Sequence, residues 1–248
     1  MPRYTDNAYL LALLPLTACS LSANGAIIPA DGSADGRSYA VNGFTEVRLS
    51  GSDNVEVRQG TAFAVTAKGD PAILDKLKIE RQGRSLVISR KGDGWGSWTK
   101  SGRVTVFITM PRLAKVSLGG SGNMKVDRID GELFEASLGG SGDIDVASAN
   151  IRRASFSIAG SGRMAIGGTA EQLSISIAGS GDVDAKRLVV QRANISMAGS
   201  GTVRADVRGT GSISMFGSGN IDLGDHASCH TSKFGSGTVR CGRAQGAG

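Results

Sequence analysis

The carboxylates of this chain fall at spacings that invite chemistry. Asp143 and Asp145, and again Asp182 and Asp184, form Asp-x-Asp pairs directly after glycine-rich turns, a pattern that suggests calcium. The calcium-binding nonapeptide, however, needs Gly-Gly-x-Gly-x-Asp. In Gly139-Gly140-Ser141-Gly142-Asp143-Ile144 the aspartate position is held by Ile144, and the repeat period is about 19 rather than nine. Asp145 and Asp184 pose a different question. On stacked strands two repeats apart they would stand about 9–10 Å from one another, beside the roughly 6.5–9.5 Å window of an inverting glycosidase. Between them Arg163 would reach in and Ala165 would leave a notch. The shared outward pattern accounts for all these carboxylates without catalysis, and the repeats offer no aromatic for a sugar ring to stack on. The two histidines, His226 and His230, lie in the last repeat, and no Gly-x-Ser-x-Gly precedes a helix, so no nucleophilic triad is indicated. With Cys229 and Cys241 they make a His-x-x-Cys-His…Cys cluster of looser spacing than a zinc site uses. No catalytic residue, metal or cofactor is assigned.

What positions these residues is a repeat. Gly-Ser-Gly begins at Gly120, Gly140, Gly160, Gly179, Gly199, Gly217 and Gly235. Two residues before it stand Leu118, Leu138, Ile158, Ile177, Met197, Met215 and Lys233. Four before stand Val116, Ala136, Phe156, Ile175, Ile195, Ile213 and Thr231, and a serine lies between the two columns in every copy. Beyond the tripeptide the same alternation resumes with Met124, Ile144, Met164, Val183, Val203, Ile221 and Val239. Period-two alternation on both sides of a turn is the strand signal, and glycine reaches the positive φ of a tight corner without a Cβ clash. A unit this short cannot fold alone, but stacked on its copies it buries its inward residues and satisfies its backbone along parallel ladders. The fold class expected is all-β: a single-stranded parallel β-helix, right-handed, with coils of 18–20 residues. The outward column Lys125, Asp145, Ala165, Asp184, Arg204, Asp222 and Arg240 alternates in sign from Asp184 onward. Neighbouring rungs bring such side chains together, so it predicts a charge ladder. Cys229 and Cys241 fall in inward columns of the final coil. An oxidising compartment would allow a disulfide there if the Cα atoms approach within about 7 Å; otherwise they are two buried thiols acting as small apolar residues.

Composition agrees. Of 248 residues 37 are glycine and five proline, with 40% hydrophobic and 5% aromatic. The apolar content excludes disorder, the absence of a three-residue glycine period excludes collagen, and glycine at this density disfavours a helical bundle. The formal net charge of +6 comes from dispersed Lys and Arg, with no run longer than a pair such as Arg152-Arg153. Nucleic-acid proteins concentrate their positive charge, so no nucleic-acid partner is expected.

At the N-terminus a short apolar stretch, Leu10 to Leu16, precedes Leu16-Thr17-Ala18-Cys19. It is too short to span a bilayer and fits the apolar region of a secretory signal. Leu-Thr-Ala-Cys resembles the lipobox of bacterial lipoproteins. That resemblance implies cleavage before Cys19, lipidation of Cys19, and, with Ser20 rather than Asp next, passage to the outer membrane of a Gram-negative envelope. The domain reading is therefore a lipoprotein signal peptide over 1–18, a flexible tether over 19–37, irregular N-terminal β coils and cap over 38–112, regular β-helix repeats over 113–242, and a disordered tail over 243–248.

Residues 38–112 carry the alternation less regularly. Phe44, Val47 and Leu49 lead to Ser50-Gly51-Ser52, read as a degenerate corner, and Asp70-Pro71 can cap one helical turn through Leu74. A glycine-rich loop from Lys91 to Gly102 holds both tryptophans, Trp95 and Trp98. The stretches Gly43-Phe-Thr-Glu-Val-Arg-Leu-Ser-Gly-Ser, Asn54-Val-Glu-Val-Arg-Gln-Gly, the tryptophan loop, Val106-Phe-Ile-Thr-Met-Pro-Arg-Leu and the Gly-Ser-Gly-Asn/Asp repeats together resemble the auto-transporter adhesin family with a head GIN domain. The resemblance spans about residues 38–241. It implies a pectin-lyase-like β-helix at a bacterial surface, adhesive, without known catalytic residues. The function expected is a non-catalytic envelope lipoprotein, held at the membrane by its lipid, with a solenoid surface that binds a glycan or a surface protein. Contact is expected along the serine column and at Trp95 and Trp98. The alternative is a polysaccharide lyase or hydrolase on the same scaffold.

Overall fold

Alternating apolar residues become stacked strands because each inward side chain lands on its counterpart one coil away. The computed structural model describes residues 26–33, 36–92 and 102–242 and shows a β-solenoid of about six turns. Val116, Ala136, Phe156, Ile175, Ile195 and Ile213 form one buried column, and Leu118, Leu138, Ile158, Ile177, Met197 and Met215 the next. Past the corner, Met124, Ile144, Met164, Val183, Val203 and Ile221 form a third. The interior is narrow, and Phe134 and Phe156 within it meet edge to face with ring centroids 6.5 Å apart.

The corners superimpose. Gly51, Gly120, Gly140, Gly160, Gly179, Gly199 and Gly217 are paired in one unbroken parallel register. Glycine is required there twice over. At Gly160 φ is +137°, and a Cβ would lie 2.3 Å from the carbonyl oxygen of Gly140 below. That carbonyl instead accepts the N–H groups of Ser161 (3.0 Å) and Gly162 (3.1 Å), so the close approach is itself the bond that stacks one coil on the next. Differences in coil length are absorbed elsewhere. The register slips between Val146 and Ala149, between Ala165 and Gly167, between Ala185 and Val189, and between Val190 and Arg192, all on the return side.

The N-terminal end is built differently. Glu46–Gly51 has Lys115–Gly120 on one side and Ser85–Arg90, also parallel, on the other. Asn54–Gln59 likewise lies between Asn123–Gly140 and Val104–Met110. Ser85–Arg90 and Val104–Met110 thus make a rung beneath the strands that flank the first corner. Antiparallel strands close it: Leu77–Gln82 on Ser85–Arg90, and Ala64–Gly69 on Val104–Met110. The helical turn Pro71–Leu74 links them, with Asp70 accepting the N–H of Ala72. Part of the stretch read as a flexible tether belongs to this cap. Ala26–Ile27 pairs with Leu77–Gln82, and Gly36–Tyr39 lies between Ala30–Ser33 and Ala64–Gly69. The antiparallel strands leave an edge that must be covered, and these residues cover it.

The C-terminal end carries no such cover among the described residues. Ser228–Phe234 pairs with the coil below and is exposed along most of its length. Lys233 and Thr231 stand where other coils have Met and Ile, and the Lys233 ammonium donates to the carbonyl of Gly237 at 2.9 Å. Charge on an edge strand opposes further pairing. Cys19, Trp95, Trp98, the expected leader 1–18 and the tail 243–248 lie outside the described residues.

Candidate functional site

Three outward columns make one flat face before the corners. The serines Ser117, Ser137, Ser157, Ser176, Ser196, Ser214 and Ser232 form the middle column in continuous register. On one side run Ser155, Ser174, Asn194 and Ser212, on the other Ala159, Ala178, Ala198 and then Phe216. Three columns over four coils give twelve outward positions, and none is charged, in a chain of which 20% is charged. A shallow trough of about 290 Å³ runs over the serines. The hydroxyls of Ser157, Ser176, Ser196 and Ser214 are exposed and make no side-chain hydrogen bond among the described residues. Strands about 4.8 Å apart hold them beyond the 2.5–3.0 Å of an O–H···O bond, so no serine bonds its neighbour on the next rung and the hydroxyls stay free.

The face ends in aromatic rings. In the column that begins Gly119, Gly139, Ala159, the last two members are Phe216 and Phe234. They are 69% and 74% exposed and stack on each other, centroids 6.1 Å apart and planes 18° from parallel. This corrects the expectation that the repeats lack a stacking aromatic. The switch from alanine to phenylalanine in that column was visible in the sequence, one place before each Gly-Ser-Gly.

Beyond the corner, the notch expected around Ala165 is present. Asp145, Ala165 and Asp184 are successive members of one column, at the centre of a groove of about 330 Å³ lined also by Lys125, Asp143, Arg163 and Arg187. Asp184 is already engaged, by the Arg163 guanidinium at 3.4 Å and the Lys186 N–H at 3.3 Å. The charge ladder is looser than the alternation suggests. Asp184 takes the diagonal Arg163 rather than Arg204 directly above it, and Arg240 is 4.0 Å from Asp222 but 2.7 Å from Asp225. A closer alternation, missed in the sequence, lies on the return side, where Arg152 reaches Glu132 at 3.0 Å and Glu171 at 3.5 Å.

Two charged groups organise the first corner. Asp53 holds the third place of that corner, where later copies have glycine, because Gly51 pairs with Gly120. The corner is therefore Gly51-Ser52-Asp53, one residue on from the sequence reading. A Cβ at Gly122 would lie 2.1 Å from the carbonyl of Asp53; Asp53 itself has no Gly-Ser-Gly corner beneath it, so a side chain fits. Its buried carboxylate accepts from Arg90 Nε at 2.9 Å and from the Val104 N–H at 3.0 Å, while Arg90 also donates to the Gly102 carbonyl at 2.7 Å. The two roots of the loop bearing Trp95 and Trp98 are pinned together here. Nearby, the Ser85 hydroxyl 2.6 Å from Glu46 holds that carboxyl below its usual range, helped by Arg84 and Lys115 against the opposing effect of burial.

At the far end Cys229 and Cys241, half-buried against the core, are drawn together as a disulfide with Cα atoms 6.1 Å apart. His226 and His230 are exposed. Among the described residues no three His, Cys, Asp or Glu side chains are placed to share a metal ion, and no helix is long and apolar enough to cross a membrane.

A regular run of glycine corners, an antiparallel cap and outward columns of small residues define the class: a parallel β-solenoid. The family model described as "Putative auto-transporter adhesin, head GIN domain" matches residues 43–226, and the chain belongs to that family. Among solved structures, a putative adhesin from Bacteroides fragilis is similar at TM-score 0.74 and 21% identity, over 83% of this chain and 95% of that one. A putative lipid binding protein from Parabacteroides distasonis gives 0.66 and 21%, over 83% and 95%. A putative adhesin from the same species gives 0.61 and 21%, over 88% and 98%. No curated protein matches the chain.

Proposed function

We propose that this protein is a non-catalytic adhesin of the bacterial envelope, lipid-anchored through Cys19, that attaches through the flat serine and alanine face of its solenoid. The observation that carries this reading is the uncharged twelve-position face with its free hydroxyls and exposed phenylalanines. Family membership supports the adhesive role. Attachment would come from many weak contacts made in register, each small but summed along the rod. Trp95 and Trp98, whose loop Arg90 and Asp53 root at the capped end, are proposed as a second contact. Replacing two exposed serines by arginine, Ser176→Arg with Ser196→Arg, should abolish attachment of protein-coated beads to host-cell and matrix surfaces. Gln191→Arg, on the return side, should leave attachment intact. Cys19→Ala should move the protein from the membrane fraction to the soluble fraction.

The groove around Ala165 favours one second reading, hydrolysis or elimination on a polysaccharide between Asp145 and Asp184. Asp184 is committed to Arg163 and the Lys186 N–H, which favours a structural role for it. Release of reducing ends or unsaturated products that Asp145→Ala abolishes would establish catalysis in place of adhesion.

A further inference from the structure

We infer that the ligand of the flat face is a neutral polysaccharide lying along the serine column, with Phe216 and Phe234 as the ledge on which its sugar rings stack; this rests on the reading of that face as the adhesive one. The chemistry of the face selects the ligand by what it lacks as well as what it offers. An anionic polymer is held by Lys and Arg, and the positions across four coils carry neither, although the chain as a whole is +6. A protein partner is held by aromatic or arginine anchors near the centre of the contact, and here the centre is serine and alanine. A membrane surface asks for basic clusters or a broad apolar face, and the hydroxylated face supplies neither.

What it does offer is a row of free hydroxyls, each able to donate and to accept, at the regular spacing of stacked strands. A polymer that is itself uncharged, hydroxylated and periodic matches that row. The low alanine column beside it lets such a chain lie flat. Phe216 and Phe234 then present 69% and 74% of their surface to the apolar side of a sugar. Exposure on that scale calls for a partner more than a scattered surface leucine does. Because each hydroxyl contact is exchanged against water, no single coil would bind well. Affinity should climb with oligosaccharide length until the ligand spans the face.

The test is native affinity electrophoresis of the full chain in gels cast with β-glucan, galactomannan or starch, and in parallel with polygalacturonate. Titration with oligosaccharides of the retarding polymer would follow, in low salt and in 1 M salt, where the Debye length is only about 3 Å. Expected are retardation in at least one neutral gel, binding that strengthens with oligosaccharide length and survives 1 M salt, loss of retardation in Ser176→Arg with Ser196→Arg, and roughly five- to tenfold weaker binding in Phe234→Ala. All three side chains are exposed, so the variants should melt with the parent. Retardation in polygalacturonate alone, or neutral binding indifferent to the arginines, would overturn the inference. If no neutral gel retards the protein while the arginine variant still loses attachment to cell and matrix surfaces, the ligand class is wrong and the adhesive face stands. If the arginines leave attachment unchanged, the adhesive reading itself fails.

Discussion

At the scale of single residues, Asp53 shows how one substitution in a repeat can be put to use. It is 0% exposed, and its carboxylate serves a guanidinium and a backbone N–H. Breaking a buried pair strands the surviving charge, a loss of about 3–5 kcal/mol. Asp53→Ala should therefore lower the urea midpoint markedly, whereas Asp143→Ala, an exposed aspartate one place beyond its corner, should shift it little. The sequence did not reveal this pair. The tripeptide Ser50-Gly51-Ser52 was read as a degenerate corner, which leaves Asp53 outside it, and Arg90 lies 37 residues downstream, so nothing local links the two. The phenylalanines were equally unread for a simpler reason: their column is mostly glycine and alanine, and the apolar alternation that marks the strands runs through the bulkier columns beside it.

At the scale of the coil, the corner and the strands beside it obey different rules. Gly160 is held at φ +137° with a carbonyl where its Cβ would go, while Gly139 has open space where a Cβ would stand and sits in a column that already accepts Ala159. Gly160→Ala should destabilise by several kcal/mol through strain and the lost bond to Gly140. Gly139→Ala should be neutral or slightly stabilising, since it only reduces the freedom of the unfolded chain. Thermal melts of the two variants side by side check this. This level of the fold was the most legible, because period-two alternation and a fixed corner leave only one way to stack. The capped end was not, because its strands reverse direction, and pairings such as Ala64–Gly69 with Val104–Met110, far apart in sequence, leave no repeating signature.

At the scale of the molecule, the two ends are unlike. One is closed by antiparallel strands and a buried ion pair; at the other, the last coil of the described residues carries an exposed strand with Lys233 on it. In a stack whose coils contact only their neighbours, stability is a sum of local terms and loss begins where a neighbour is missing. The bond between Cys229 and Cys241 closes a short loop in that last coil, where such a link contributes about 2–4 kcal/mol. Reduction with dithiothreitol, or Cys229→Ser with Cys241→Ser, should speed amide exchange across 228–242. Protection around Phe156 and Ile175 should stay unchanged. Equal loss of protection along the whole rod would mean that it unfolds as a single unit.

The slips in register all fall on the return side, while the glycine spine admits none. A rod made this way can be edited like a sentence with a fixed left margin: residues enter or leave the ragged side without disturbing alignment. Duplication of a whole coil would push the far tip outward by about 4.8 Å and lengthen the contact face by one more row. The length of the rod would then be set by copy number, a quantity that unequal recombination between like repeats can change in a single step.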